Sequence, residues 1–153
     1  MKLQQQELIA LDNSLKLKFK NFYSGESNGM FHTKYPHARL LFCIDCNEGS
    51  FLEDGGGRIF LQRGMWLLVP PFAEIRHCHL KHQRLSIHFN FSMLHGMEIL
   101  SCFAFTQHGI APELLPLAES MNTGAIEPMQ FLNGAHLLVR TILHRLVQMP
   151  EFE

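Results

Sequence analysis

The stretch Gly64 to His79, GMWLLVPPFAEIRHCH, decides how this chain folds. Glycine opens it, and Trp66 to Val69 form a short apolar run. A run this short, β-prone and bounded by turn residues at both ends, reads as a buried strand. Pro70 and Pro71 have no amide hydrogen to give a sheet ladder, so the strand stops there and the chain swings out. Ile75 to Leu80 then begins a second strand. It carries His77 and His79 two residues apart, with both rings on one face.

Working outward, the same grammar repeats. Leu40 to Cys46 is apolar, Asn47-Glu48-Gly49 turns, and Ser50 to Glu53 resumes. Asp54-Gly55-Gly56-Gly57 is a hairpin signal, because tight turns need the positive φ that glycine adopts freely. Arg58 to Gln62 returns to Gly64. On the other side, polar Lys81-His82-Gln83-Arg84 separates Ile75–Leu80 from a further strand, Leu85 to Phe91. Strands of this length at this spacing indicate a small antiparallel barrel or sandwich. Residues 1–38 are polar and irregular. Within them Leu15 to Lys20 alternates apolar and lysine, as an edge strand with one wet side does. Ser24 to Gly29 is a turn cluster.

The pattern changes after about residue 110. Pro112-Glu113 marks a helix start, running to about Met121 with Pro116 bending it unless it sits in the first turn. Thr123-Gly124 breaks it. A longer helix runs from about Pro128 to Met149, and Phe131, Leu132, Ala135, Leu138, Val139, Ile142, Leu143, Leu146 and Met149 form one broad apolar face. So wide a stripe serves two purposes, covering the strands and meeting another subunit. The class is mainly β with a helical C-terminal part. The division falls at residues 1–109 and 110–153.

Composition narrows the function. The chain has 153 residues, 46% apolar, with a net charge of −1. That charge argues against a grip on nucleic acid by these residues themselves, since phosphate contacts need surplus lysine and arginine. No apolar run approaches the ~20 residues of a membrane span, and residues 1–7 lack a signal-peptide core, so the expected compartment is the cytoplasm. Cys43, Cys46, Cys78 and Cys102 are too few for a disulfide scaffold and are expected as reduced, structural thiols. Cys43 and Cys46, three apart in a strand, are expected on opposite faces.

The ten histidines raise a metal reading, in which His77, His79 and His88 give three nitrogen ligands and an open position. No suitably spaced carboxylate stands beside them.

Gly64, the apolar run and Pro70-Pro71, preceded by strands around Asp54-Gly55 and followed by Ile87-His88-Phe89-Asn90-Phe91, resemble the effector-binding cupin domain of AraC/XylS-type bacterial transcription regulators. The resemblance covers about residues 32–149. It implies a cupin-like small antiparallel β-barrel, a double-stranded β-helix, with a C-terminal two-helix subdomain. It further implies a small-molecule effector, a carbohydrate or related metabolite, and a homodimer formed through the long helix at Leu138, Ile142, Leu146 and Met149. DNA is contacted only through a separate domain absent from this chain. Metal-dependent cupins carry a histidine eleven residues after the motif glycine, where this chain has Ile75. Phe72 stands where the glycine after the proline turn is usual. The nearest match to the first motif is His37-Ala38-Arg39. Isoleucine has no ligand atom and arginine repels a cation, so the expectation is binding without catalysis, metal or cofactor. The alternative is a dioxygenase- or isomerase-like metal cupin using His77, His79 and His88. Carried over from the family, the ligand site comprises His88, Trp66, Arg39, His77, Ser86 and Cys46. Ser86 and His88 share one strand face, Ile87 and Phe89 the other.

Overall fold

The computed structural model describes residues 16–92, 99–122 and 126–146. Leu15, Met149 and the Thr123-Gly124 helix break lie outside them. The strands are β1 (Lys16–Lys34), β2 (Ala38–Asp45), β3 (Phe51–Asp54), β4 (Gly57–Phe60), β5 (Met65–Val69), β6 (Glu74–Ser92) and β7 (Gln107–Ile110). Two helices follow, α1 (Leu115–Asn122) and α2 (Pro128–Leu146), with single 3₁₀ turns at Ile99–Cys102 and Pro112–Leu114. All seven strands join one antiparallel sheet, curled into a half-barrel. Its order is β4-β3-β6-β2-β5-β7, with β1 along the remaining edge of β6. The expected class, mainly β with helices last, is the class observed.

The opening stretch forms as its residues dictate. Every residue of β5 is buried. The Pro70–Ala73 turn closes with the Ala73 amide donating to the Pro70 carbonyl at 3.3 Å. Gly64 has φ +82°, and a Cβ there would meet the Pro112 backbone at 3.3 Å. Only glycine suits both conditions.

Two expected breaks are not breaks. Ser24–Gly29 lies inside β1, and Lys81–Arg84 lies inside β6. The two segments pair with each other: Ser24 with Leu85, Gly25 with Arg84, Glu26 with Gln83 and Ser27 with His82. The register then slips before Gly29 meets His79, and Lys81 takes φ +47°. Residues that make turns also make bulges, and a bulge bends a strand pair without reversing it. Here the bend curls the sheet. Strand β7, which pairs with β5, was not anticipated either.

The sheet divides the core in two. On its convex face Leu40, Phe42, Leu68, Leu85, Ile87 and Phe89 pack with α1 and α2. On the concave face Leu41, Cys43, Leu52, Met65, Leu67, Val69 and Ile75 form a second cluster. Leu138, Ile142 and Leu146, expected at a dimer interface, belong to the first cluster and are at most 2% exposed. They are committed to the chain's own core, because the widest apolar stripe on α2 is the one that roofs the sheet. The faces of α2 left in solvent carry Met129 and Leu137 instead.

Candidate functional site

Antiparallel partners share a face. Leu41 is in the concave cluster and pairs with Ser86; Arg39 pairs with His88, and Cys43 with Arg84. The slip at Leu80–Lys81 changes the parity of β6. Before it Ile75, His77 and His79 face inward; after it His82, Arg84, Ser86 and His88 do. Without that extra residue, His79 and Ser86 would lie on opposite sides.

The concave face therefore holds a polar cluster above its apolar floor. A hydrogen-bonded chain links Ser27 Oγ to His79 Nδ1 at 2.7 Å, His79 Nε2 to His77 Nδ1 at 2.8 Å and His77 Nε2 to Thr33 Oγ1 at 3.4 Å. Arg39 Nη1 donates to the same Thr33 oxygen at 2.8 Å. A second group joins His37 Nε2 to His88 Nδ1 at 2.8 Å. Tyr35 stacks on His37, and the Arg39 guanidinium lies over the Tyr35 ring at 4.8 Å. Arg84 lies over Tyr23 at 4.3 Å.

Burial governs the charges. It depresses His77 and His82 to about 3 and His79 and His88 to about 4, with neighbouring histidines and arginines adding to the effect. These four rings are neutral at pH 7. Burial also lowers Arg39, to about 10, and Arg84, but both stay protonated. Among the described residues neither guanidinium has a carboxylate partner.

Several inward polar atoms have no hydrogen-bond partner among the described residues. They are Arg39 Nε and Nη2, Arg84 Nε, Ser86 Oγ and both ring nitrogens of His82. Buried polar groups are rarely left so.

A divalent cation does not fit this donor set. No group of three His, Cys, Asp or Glu residues among those described is arranged to hold one. His77 and His79 do come together, but they bond each other, while His88 turns to His37. Two uncompensated guanidiniums add a repelling field. Ile75, which has no ligand atom, is fully buried in the apolar floor.

Of the expected site residues, His88, Arg39, His77 and Ser86 meet on the concave face. Trp66 does not. It pairs with Phe42 and packs under the helices against Gly109, because β5 turns its even-numbered residues convex. Cys46 lies at the margin, its thiol donating to the Leu61 carbonyl at 3.5 Å. It sits beside Cys43 rather than opposite: burial first, then the neighbouring Cys46, pushes the Cys43 thiol up. The bulge between Cys43 and Asp45 overrides simple alternation. Sequence reasoning missed His82, Arg84, Ser27, Thr33 and Tyr35. The signal for the first two was present: His82, Arg84, Ser86 and His88 alternate without interruption.

No family model matches the chain, and no curated protein matches it. Among solved structures, a candidate mannose-6-phosphate isomerase from Ralstonia eutropha JMP134 aligns at 19% identity and TM-score 0.34. It covers 50% of this chain and 74% of that one. A cupin protein from Bacteroides fragilis aligns at 14% identity and TM-score 0.30, covering 64% and 86%. A salicylate 1,2-dioxygenase variant from Pseudoaminobacter salicylatoxidans gives 12% and 0.29, covering 64% of this chain and 26% of the dioxygenase. Likenesses this distant carry nothing about activity.

Proposed function

We propose that this chain is a non-catalytic small-molecule sensing domain, the effector-binding part of an AraC/XylS-type regulator whose DNA-binding part is not in this sequence. The observation that supports it is the set of unpartnered, solvent-excluded polar atoms gathered on one concave face. A face destined only to be filled by its own side chains is normally apolar or internally satisfied. A ligand satisfies these atoms, and binding raises the stability of the curled sheet that holds them. Ser27 Oγ and His79 Nδ1 are in contact at 2.7 Å, but burial holds His79 down at about 4, too weak a base to activate a hydroxyl at pH 7. Burial holds His77, His79, His82 and His88 neutral, and among the described residues no carboxylate pairs with them.

Titration calorimetry against neutral monosaccharides, uronic acids and small organic acids tests the reading. One compound is expected to bind with one site per chain, and Ser86→Val is expected to weaken it tenfold or more. A folded protein that binds nothing in the panel would sink the proposal. The metal-cupin reading is favoured only by the proximity of His77 and His79. Stoichiometric iron, manganese or zinc in protein purified without chelator, lost in His77→Ala, is the result that would bring it back.

A further inference from the structure

We infer that the ligand of the concave face is an anion, bound through a carboxylate or phosphate group by Arg39 and Arg84. This deepens the sensing proposal and rests on it. Arg39 is 3% exposed, yet only one of its guanidinium nitrogens, Nη1, has a hydrogen-bond acceptor; Nε and Nη2 are out of solvent with none. Arg84 is half-buried, and its Nε is in the same state. Both project from the concave face, and Arg84 lies near enough to lower Arg39's affinity for a proton, so the fold sets a second positive charge near a solvent-excluded Arg39.

A guanidinium taken out of water, as that of Arg39 is, with a second, half-buried one near it and no counter-charge among the described residues, is strongly disfavoured. The surrounding groups do not compensate. The histidines are neutral, Thr33 accepts a single bond, and Tyr35 and Tyr23 offer only ring faces. The ion pairs among the described residues, Arg58–Glu53, Arg63–Glu119, Arg145–Glu113 and His32–Glu74, all lie elsewhere. The fork of a guanidinium matches the paired oxygens of a carboxylate or phosphate. Ser86 Oγ and the His82 ring, both unpartnered and buried, add neutral donors beside the charge. A neutral sugar satisfies hydroxyl and imidazole groups but leaves both charges uncompensated.

The test compares the wild-type chain with Arg39→Met and Arg84→Met, which keep side-chain length and remove the charge. Probes are acetate, inorganic phosphate, glucuronate, glucose 6-phosphate and glucose, followed by calorimetry and melting temperature at low ionic strength. A carboxylate or a phosphate probe is expected to bind and raise the melting temperature. Its affinity is expected to fall at least tenfold in each variant. The ligand-free variants are expected to melt no lower than wild type, since each loses an unpaired buried charge. A merely structural arginine gives the reverse, a lower melting temperature and no change in ligand response, and that result overturns the inference. Acetate against phosphate, and glucuronate against glucose 6-phosphate, decide which oxyanion is preferred. Glucose binding equally to wild type and both variants overturns the anion while leaving the sensing role standing. Absence of any response to the anion probes also overturns it.

Discussion

Phe72 shows how a departure from a family pattern becomes a physical consequence. It has φ +64° and is largely exposed, in the backbone region that suits glycine and penalises a side chain by about 1–2 kcal/mol. The Phe72 amide donates to the Tyr35 carbonyl at 2.7 Å, which holds the turn in that conformation despite the penalty. Phe72→Gly is expected to raise stability by about 0.5–1 kcal/mol, the strain relieved being partly offset by the freer unfolded chain. Urea denaturation measures it, and a loss of stability would show that the exposed ring makes an unrecognised contact. At this scale the sequence was legible where one residue type answers one local demand, as at Gly64, the double proline and Phe72. It was silent on Trp66, because an aromatic in an apolar strand fits either face and only the sheet's curl chose the convex one.

At the scale of elements, helix α2 separates two jobs that its sequence blurred. Leu138 is fully buried against the sheet, while Leu137, its neighbour, is 56% exposed. Leu138→Ala is therefore expected to cost about 2–5 kcal/mol, with the oligomeric state by light scattering unchanged. Leu137→Glu is expected to change stability by no more than about 0.5 kcal/mol. If the domain self-associates through this helix, the face of Leu137 and Met129 is the one to carry it, and Leu137→Glu then shifts the scattering mass towards monomer. The long strands teach the complementary lesson. Ser24–Gly29 and Lys81–Arg84 have turn composition, and their pairing with one another made them a bend. Neither segment alone contains that information, since a bulge is a property of two strands in register.

For the whole molecule, the neutral buried histidines make stability depend on pH. His77, His79 and His82 have folded-state values of about 3 to 4, against an ordinary value near 6.5 when unfolded. The unfolded chain thus binds protons that the folded chain refuses. Their stabilisation is complete above about pH 6.5 and is lost as pH falls from there towards 4, at up to about 1.4 kcal/mol per pH unit for each ring. Urea midpoints are expected to fall between pH 7 and pH 5. His82→Leu, which removes two unpartnered nitrogens, is expected to make that fall shallower. A midpoint flat from pH 7 to pH 5 would mean these rings are not sealed from solvent.

The sequence by itself determined the strand-forming runs, the turn after Val69, the two helices and the alternation that sets Ser86 and His88 on one face of their strand. Those are local matters of propensity, period and missing amide hydrogens. The tertiary structure alone decided that Arg39 and Arg84 share the concave face with His77 and His79, that His82 joins them, that Trp66 turns away and that Leu138, Ile142 and Leu146 roof the sheet. Each of these depends on a one-residue slip between paired strands or on which face the curl encloses, and no window of one strand records its partner's register.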